Sequence, residues 1–275
     1  MKIENRQPGV TADISAHRNG TFRELVTLIS LAIFSIAVLY YAVGVIVDLA
    51  VSRIDVEQEI ALFEKFSLAG IPDADRPADD AQAVDRVQRI VDQLRQHPDV
   101  PPINYRVVII ERDDPNAFAF PGGIIGVTTG LLEAVSGDVE LAFVLGHELG
   151  HFHNRDQLAG LGRSIGFGIC YTLLFGGEGS ADTFSPIFAT ILQSHHSREQ
   201  ESKADRFGMR VLFETYDTTE GFDRVFEVIK DRQHAPRWAQ MFATHPVADD
   251  RAEALQQYAE ELRVRRKSSR AASNT

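Results

Sequence analysis

The sequence predicts an α+β fold that is mostly helical, with one small β-sheet and a single transmembrane helix ahead of it. An uncharged apolar run near the N-terminus indicates the transmembrane helix. Three short runs rich in β-branched and aromatic residues between positions 105 and 129 indicate the sheet, and the chain from residue 139 onward lacks the alternation of strands. With 275 residues, 44% of them hydrophobic and 24% charged, the chain can form one sizeable folded domain and an appendage.

The transmembrane helix is predicted over residues 25–47, a run of 23 residues without a charge. At 1.5 Å per residue this run crosses a hydrocarbon core of about 30 Å. It is longer than the apolar stretch of a usual signal peptide and no convincing cleavage motif follows it, which favours an uncleaved anchor over a signal peptide or a buried soluble helix. Lys and Arg are more frequent before the run than just after it. The positive-inside rule then places residues 1–24 in the cytoplasm and the remainder outside it, in the periplasm of a bacterium.

The boundaries of the remaining segments follow from breakers and composition. Residues 48–78 are predicted to form a helix over 54–66 and then a linker, because residues 70–77 contain Gly, Pro and Asp. A folded domain is predicted over residues 79–265. Residues 266–275 are basic and rich in Ser and Ala, which is typical of a disordered tail.

Within the folded domain, the pattern of apolar residues predicts a first helix, then strands, then helices. The first helix is predicted from about residue 80 to 97, the strands at Tyr105–Glu111, Ala117–Phe120 and Ile124–Thr129, and the later helices at 139–152, 184–214, 220–232 and 249–265. The apolar stretch Ile165–Phe175 is too short to span a bilayer. It is expected to be a core helix, with a contact to the membrane surface as the alternative.

Charge and cysteine content narrow the classes of function. The net charge of −11 repels phosphate backbones, so no nucleic-acid partner is expected. The single cysteine, Cys170, cannot form an intramolecular disulfide and lies in an apolar stretch, so it is interpreted as a small core side chain.

The strongest chemical signal is the motif H-E-x-x-H, formed by His147, Glu148 and His151 inside an apolar helical run. Two histidines four residues apart lie on one face of a helix, where their ring nitrogens can bind the same zinc ion. Two unpartnered histidines and a carboxylate would be costly in an apolar helix, which favours a metal site over structural histidines. We therefore expect one Zn²⁺ per chain, with Glu148 as the catalytic base.

A catalytic zinc usually has three protein ligands and one open position, so a third ligand is needed. Asn154 and Gln157 occupy the positions that the extended metzincin motif requires, which excludes that class. A carboxylate about twenty residues downstream fails as well, because Glu178 lies in a Gly-rich stretch. Glu201 is the better candidate, and Asp205 on the same helical face could accept a hydrogen bond from a ligand histidine. A solvated charged helix is the alternative for these two residues.

Several further motifs occur in a familiar order around this candidate site. They are Asn116–Gly123 (NAFAFPGG), Val127–Leu132 (VTTGLL), Glu140–Leu145 ahead of HELGH, Glu201 with Asp205, and Thr244-His245-Pro246 with Arg251. In this combination the chain resembles the M48 family of zinc metallopeptidases. The resemblance implies a gluzincin fold with Glu201 as third ligand and His245 close to the metal. The single span favours the Oma1-like or periplasmic members over the HtpX and Ste24 branches.

The function implied is a membrane-anchored zinc-dependent endopeptidase that acts on unfolded or membrane-associated proteins in quality control. The expected partners are polypeptide substrates and the lipid bilayer through residues 25–47, with an oligomer left open. The candidate substrate strand, which would pair with an extended peptide or else form an ordinary hairpin, consists of Asn116, Ala117, Phe118, Ala119 and Phe120. His245 could block the open metal position, stabilise an oxyanion together with Arg251, or have no role.

Two other classes of function are alternatives to an endopeptidase. A membrane-anchored chaperone or adaptor with a latent zinc site would have no need of the base Glu148. A hydrolase of small molecules would need a deep closed pocket.

Overall fold

The computed structural model describes residues 14–63, 80–135, 137–175, 196–232, 245 and 249–273. It confirms the predicted fold class, since the described chain is mostly helical with one small sheet. Two compact units are present, Met1–Ile46 and Val47–Thr275. The elements in chain order are α1 (Ile14–Val51), α2 (Val56–Phe63), α3 (Ala81–Leu94), β1 (Arg106–Ile110), β2 (Ala117–Phe120), β3 (Ile124–Thr128), α4 (Thr129–Ala134), α5 (Asp138–Asn154), α6 (Asp156–Phe175), α7 (Arg198–Tyr216), α8 (Glu220–Arg232) and α9 (Asp249–Ser273).

Helix α1 contains the predicted membrane span. Its segment Thr21–Val51 is the one helix among the described residues that is long and apolar enough to cross a bilayer. Only 6% of its most apolar window is buried by the rest of the chain. Apolar side chains left in water in such number would be costly, whereas hydrocarbon would solvate them. Helix α1 is therefore a candidate transmembrane helix, and it is longer than the predicted 25–47.

The three strands form one mixed sheet in the order β1-β3-β2. Strand β3 is central, parallel to β1 and antiparallel to β2. Gly122 and Gly123 both have φ near +86°, so the turn between β2 and β3 requires glycine at both positions. Strand β2 matches the predicted residues, and within the described chain it lies at the edge of the sheet.

Helices α5 and α7 are packed closely enough for their backbones to touch. Gly146 lies against Gly208, and Gly150 lies against Ala204. A Cβ atom added to Gly208 would come within 2.6 Å of the backbone nitrogen of His147. The apolar side chains of both helices are buried in one cluster together with α3 and the sheet. The small residues thus set the separation of the two helices that carry the predicted ligands.

Two local predictions are wrong. Residues 165–175 are not a core helix, because they form the second half of α6, where Ile165 and Ile169 are 46% and 56% exposed. Residues 266–273 are not disordered, because α9 continues to Ser273. Arg266 and Arg270 lie one turn apart and both reach Asp217, at 3.6 and 2.7 Å, which holds this end of the helix against the end of α7.

The remaining local predictions lie close to the observed elements or outside the described residues. The strands and the helices that begin at residues 81, 138 and 220 agree with the predictions to within a few residues. The linker over 70–77, the end of the helix predicted over 54–66, and residues 184–195 lie outside the described residues.

Replacing Gly208 by Ala tests the close helix packing. The new methyl group would force α5 and α7 apart, and we expect a loss of about 1–3 kcal/mol of stability together with weaker metal retention. Thermal unfolding in detergent and metal content of the purified chain would measure both. Gly168→Ala is the matched control, because nothing lies within 4 Å of its Cβ position and the substitution should leave both values unchanged or raise stability slightly. Equal unfolding midpoints for the two variants would contradict the packing argument.

Candidate metal centre and active site

The predicted ligands come together in one buried cluster. Helix α5 carries His147 and His151, and helix α7 carries Glu201. These three residues and His245 each offer one ligand atom, and the four atoms lie within 4.8 Å of one another. All four side chains are buried. The tertiary structure thus brings residues that are up to 98 positions apart in the chain to one point.

The ends of the two helices are well defined by local chemistry. Helix α7 begins with a capping box, in which the Ser197 side chain accepts from the Gln200 backbone and the Gln200 side chain accepts from the Ser197 backbone. Acidic residues in the first turn of α5 favour its N-terminus through the helix dipole. Helix α5 ends at Arg155, which adopts the left-handed conformation and allows α6 to start at the next residue.

Four of the six distances between the donor atoms are close to those between neighbouring ligands of a zinc ion. His147 Nε2 lies 3.1 Å from His151 Nε2 and 3.3 Å from His245 Nδ1. Glu201 Oε1 lies 3.2 Å from His151 Nε2 and 3.1 Å from His245 Nδ1. Two atoms that each lie about 2.0 Å from a tetrahedral zinc ion are about 3.3 Å apart. The chemistry and spacing of the donor set therefore fit zinc, with His245 as a fourth donor.

Carboxylates orient both ligand histidines. Asp205 Oδ1 lies 2.9 Å from His147 Nδ1, and Asp156 Oδ2 lies 2.8 Å from His151 Nδ1. An ionised carboxylate can only accept a hydrogen bond, so each Nδ1 carries a proton and each Nε2 faces the cluster. Two Nε2 atoms 3.1 Å apart need a proton or a metal ion between them, because two facing lone pairs would repel each other. A metal ion bound to both Nε2 atoms would meet this need.

Arg251 connects the two carboxylates of α7. Its Nε and Nη2 donate to the two oxygens of Asp205 at 2.9 Å each, and its Nη1 lies 2.8 Å from Glu201 Oε2. A bidentate guanidinium holds a carboxylate in one orientation. The contacts of Arg251 are therefore those of a residue that positions Glu201 and Asp205.

The cluster favours positive charge. Burial alone would lower the pKa of His151, but its hydrogen bonds to Asp156 and Glu201 and the nearby charge of Glu148 raise this pKa to about 10. Burial alone would raise the pKa of Glu201, but hydrogen bonds to His151 and His245 hold it well below its usual range. The same opposition, with His147 and Arg251 as the partners, lowers the pKa of Asp205. The surplus of carboxylates thus suits a divalent cation.

Glu148 lies between the metal cluster and strand β2. Its Oε2 accepts a hydrogen bond from the backbone N–H of Ala119 at 3.0 Å, and its Oε1 lies 3.6 Å from His245 Nε2. Burial raises the pKa of Glu148, although the charges of His245 and His151 oppose this effect. A carboxyl group whose pKa is raised from the ordinary range toward neutrality can both accept and return a proton.

Strand β2 borders a groove beside the cluster. Asn116 and Ala117 line this groove together with His147, Glu148 and Arg251. The other lining side chains are mostly apolar and come from α5 and α8, namely Phe143, Val144, Val225 and Phe226. Phe118 and Phe120 do not line the groove, because they point to the opposite face of the sheet and pack with Phe63 and Ile110. Of the candidate substrate strand, Asn116 and Ala117 thus face the groove.

Asn116 holds a polar atom without a visible partner. Its Oδ1 is buried and has no hydrogen-bond partner among the described residues, while its backbone N–H donates to Thr128 Oγ1 at 2.8 Å. A buried carbonyl oxygen without a donor is costly. Asn116 Oδ1 could therefore accept a hydrogen bond from a donor bound in the groove.

Sequence reasoning missed two residues at the site. Asp156 is the first residue of α6, and its position five residues after His151 is the only sequence signal for its role. His196 stacks on the His151 ring, with centroids 3.9 Å apart and an angle of 18°. Burial and the neighbouring histidines His151 and His245 lower the pKa of His196 to about 2, which keeps it neutral. The sequence signal for His196 is its position directly before Ser197, the residue that caps the helix carrying Glu201.

Comparison with known proteins agrees with this geometry. Residues 81–259 match the profile of Peptidase family M48. The chain is 36% identical over 138 residues to a protease HtpX homolog of Salinibacter ruber, covering 44% of this chain and 49% of that protein. It is 30% identical over 173 residues to the metalloprotease YcaL of Escherichia coli, covering 61% and 66% of the two chains. A third relative is the mitochondrial metalloendopeptidase OMA1 of Arabidopsis thaliana, 34% identical over 110 residues, covering 40% of this chain and 22% of that protein.

The matches extend over about half to two thirds of the first two relatives and less than a quarter of the third. The profile match covers more than half of the present chain and includes α3, the sheet, α5, α7 and most of α9. It contains every residue that the structure places at the metal cluster. The chain therefore belongs to peptidase family M48.

Proposed function

We propose that the chain is a membrane-anchored zinc metalloendopeptidase that cleaves unfolded or membrane-associated polypeptides in protein quality control. The observation that carries this proposal is the position of Glu148, which lies between a buried cluster of four possible metal ligands and the edge of strand β2. Membership of family M48 and the candidate transmembrane helix α1 support it. By the positive-inside rule, the catalytic unit would lie outside the cytoplasm.

The chemistry follows from the residues around the donor set. A zinc ion bound by His147, His151 and Glu201 would lower the pKa of a water molecule and polarise the scissile carbonyl. Glu148 would accept the proton of the attacking water and return it to the leaving nitrogen. Asp156, Asp205 and Arg251 would keep the ligands in their orientation during this cycle.

An extended substrate would bind along β2. The Asn116 carbonyl accepts a hydrogen bond from the Thr128 N–H of β3. Because the hydrogen-bonding groups alternate along a strand, the N–H and C=O groups of Ala117 and Ala119 are directed away from β3. The Ala119 N–H accordingly donates to Glu148. The unpartnered Asn116 Oδ1 would accept a backbone N–H of the substrate. Such binding depends on the backbone more than on side chains, and the apolar groove adds a preference for exposed hydrophobic segments. Both properties suit unfolded clients.

His245 would act as a latch. Its Nδ1 lies 3.3 Å from His147 Nε2 and 3.1 Å from Glu201 Oε1, at the corner that a water or a substrate carbonyl would need. Its other ring nitrogen lies 3.6 Å from the base Glu148. One imidazole would thus occupy the open metal position and approach the base at the same time. The guanidinium group of Arg251 contacts Asp205 and Glu201. These contacts weigh against a role in which Arg251 and His245 together stabilise an oxyanion.

Replacing Glu148 by Gln tests the catalytic step. The amide has the same size but cannot accept the proton, so we expect unchanged zinc content and a loss of cleavage of roughly 100-fold or more. The measurement is the cleavage of unfolded casein by the full chain in detergent, with and without a chelator. If Glu148→Gln cleaved casein as fast as the unmodified chain, the proposed role of Glu148 as the base would be wrong. If the unmodified chain held casein but left it uncut in the presence of zinc, the adaptor function would be supported instead.

Replacement of the metal-site carboxylates tests the ligand assignment. Glu201→Ala should remove most of the bound zinc, and Asp156→Asn or Asp205→Asn should each weaken zinc binding by about 10 to 100-fold. Competition with a chromophoric chelator measures these affinities. Glu199→Gln is the matched control, because Glu199 lies on the same helix but is exposed and pairs with Lys203 at 2.8 Å. Zinc affinity that fell equally in the control and in Glu201→Ala would refute the assignment.

Replacing His245 by Ala separates a latch from an oxyanion donor. Because removal of a latch opens the fourth metal position, we expect higher basal casein cleavage at unchanged zinc content. A fall of roughly 100-fold would instead indicate transition-state stabilisation. His153→Ala serves as control, since His153 is an exposed histidine of α5 that bonds the Asp99 carbonyl, and it should not alter activity. No change in either variant would exclude His245 from the site.

A further inference from the structure

The second half of helix α6 has an exposed apolar surface that the metal site does not use. From Ser164 to Phe175 the helix carries no charged residue. Ile165 and Ile169 lie one turn apart and are about half exposed, and Thr172 is exposed on the same face. The first half of the helix differs, because its Leu158 and Leu161 are buried against Phe118 and Phe120 of the sheet. Exposure thus begins where α6 leaves the protein core.

This surface begins at the end of the candidate membrane span. Gly162 of α6 lies so close to Val47 that an added Cβ would come within 2.7 Å of its side chain. The next residue, Arg163, pairs with Asp48 at 2.6 Å. Val47 and Asp48 lie in the last turns of α1, where the apolar span ends. The exposed face of α6 therefore starts beside the last turns of α1.

The Ser164 and Thr172 side chains of this segment are bonded within the helix. Ser164 Oγ donates to the Gly160 carbonyl at 3.1 Å, and Thr172 Oγ1 donates to the Gly168 carbonyl at 3.0 Å. Thr27 in the span of α1 makes the same bond to the Arg23 carbonyl at 2.8 Å. Hydroxyl groups bonded back to the preceding turn need no water. These two side chains are therefore compatible with an apolar solvent.

We propose that residues 164–175 of α6 form a second membrane contact, in which Ile165 and Ile169 insert into the lipid of the leaflet next to the end of α1. Twelve residues of helix extend about 18 Å, which is too short to cross a hydrocarbon core of about 30 Å. The segment would thus enter one leaflet without crossing it. Burying its apolar side chains in lipid would remove the cost of exposing them to water.

This contact would also restrain the metal site. Helix α6 begins at Asp156, which orients His151, and Ile165 lies nine residues further, about 14 Å along the same helix. A helix attached to the bilayer at one end and to a ligand histidine at the other would keep the active site near the membrane surface. The membrane contact itself rests on α6 and α1 alone and does not depend on the proposed proteolysis.

Nitroxide labels at single cysteines test the contact. Ile165→Cys and Ile169→Cys are made in a Cys170→Ser chain, which has no other cysteine, and the full protein is reconstituted in phosphatidylethanolamine–phosphatidylglycerol vesicles. The measured quantity is the ratio of collisions with oxygen, which concentrates in lipid, to collisions with a water-soluble nickel chelate. We expect this ratio to be several-fold higher at both positions than at Lys203→Cys, an exposed control site on α7.

Two outcomes would overturn the proposal. A ratio equal to that of the Lys203 control would show that the face lies in water. Exclusion of both reagents would show that protein, such as a second copy of the chain, covers it. The zinc content of each labelled variant reports whether it is folded.

Discussion

The close contact between helices α5 and α7 is the constraint on which the site depends. The small residues Gly146, Gly150, Ala204 and Gly208 let the two backbones approach each other, and larger side chains at these positions would collide with the facing backbone. The ligand pair on α5 and the carboxylate pair on α7 are each spaced by four residues, so one turn of each helix presents both members to the other. With the helices at this separation, Asp205 reaches His147 and Glu201 reaches His151. A wider separation would break both contacts together.

Burial then determines the electrostatics of the site. Removing several carboxylates and histidines from water is costly unless they pair with one another or with a cation. The structure compensates in two ways, since Arg251 neutralises part of the charge of Asp205 and Glu201, and the facing lone pairs of His147 and His151 can be satisfied by a metal ion. Metal binding and folding are therefore expected to be linked in this part of the protein.

The segment that follows the anchor is tied to the catalytic elements. Arg155, the left-handed residue that ends α5, donates to the carbonyls of Val51 and Ile54. Glu59 of α2 accepts from the Gly122 N–H at 3.4 Å, and burial raises its pKa despite this bond and the nearby Arg155. Gly122 in turn belongs to the turn that ends the groove-lining strand β2. These contacts join the end of α1 to the end of α5 and to the β2–β3 turn. A displacement of the end of α1 is therefore expected to move the groove-lining strand β2.

The elements and the chemistry that depend on short spacings can be predicted from the amino-acid sequence. The position of β2, the helix containing H-E-x-x-H and the shared faces of His147 with His151 and of Glu201 with Asp205 follow from local periodicity, because residues four apart in a helix are neighbours whatever surrounds them. Contacts between groups that are distant in the chain depend instead on the packing of the helices and the sheet. Helix packing determines four contacts in particular. They are the pairing of His151 with Asp156, the stacking of His196 on His151, the contact of His245 with Glu201 and the ion pairs of Asp217 with the last turns of α9. The same is true of α6, since an apolar run looks alike in sequence whether protein or lipid covers it, and only the neighbours of Ile165 and Ile169 distinguish the two.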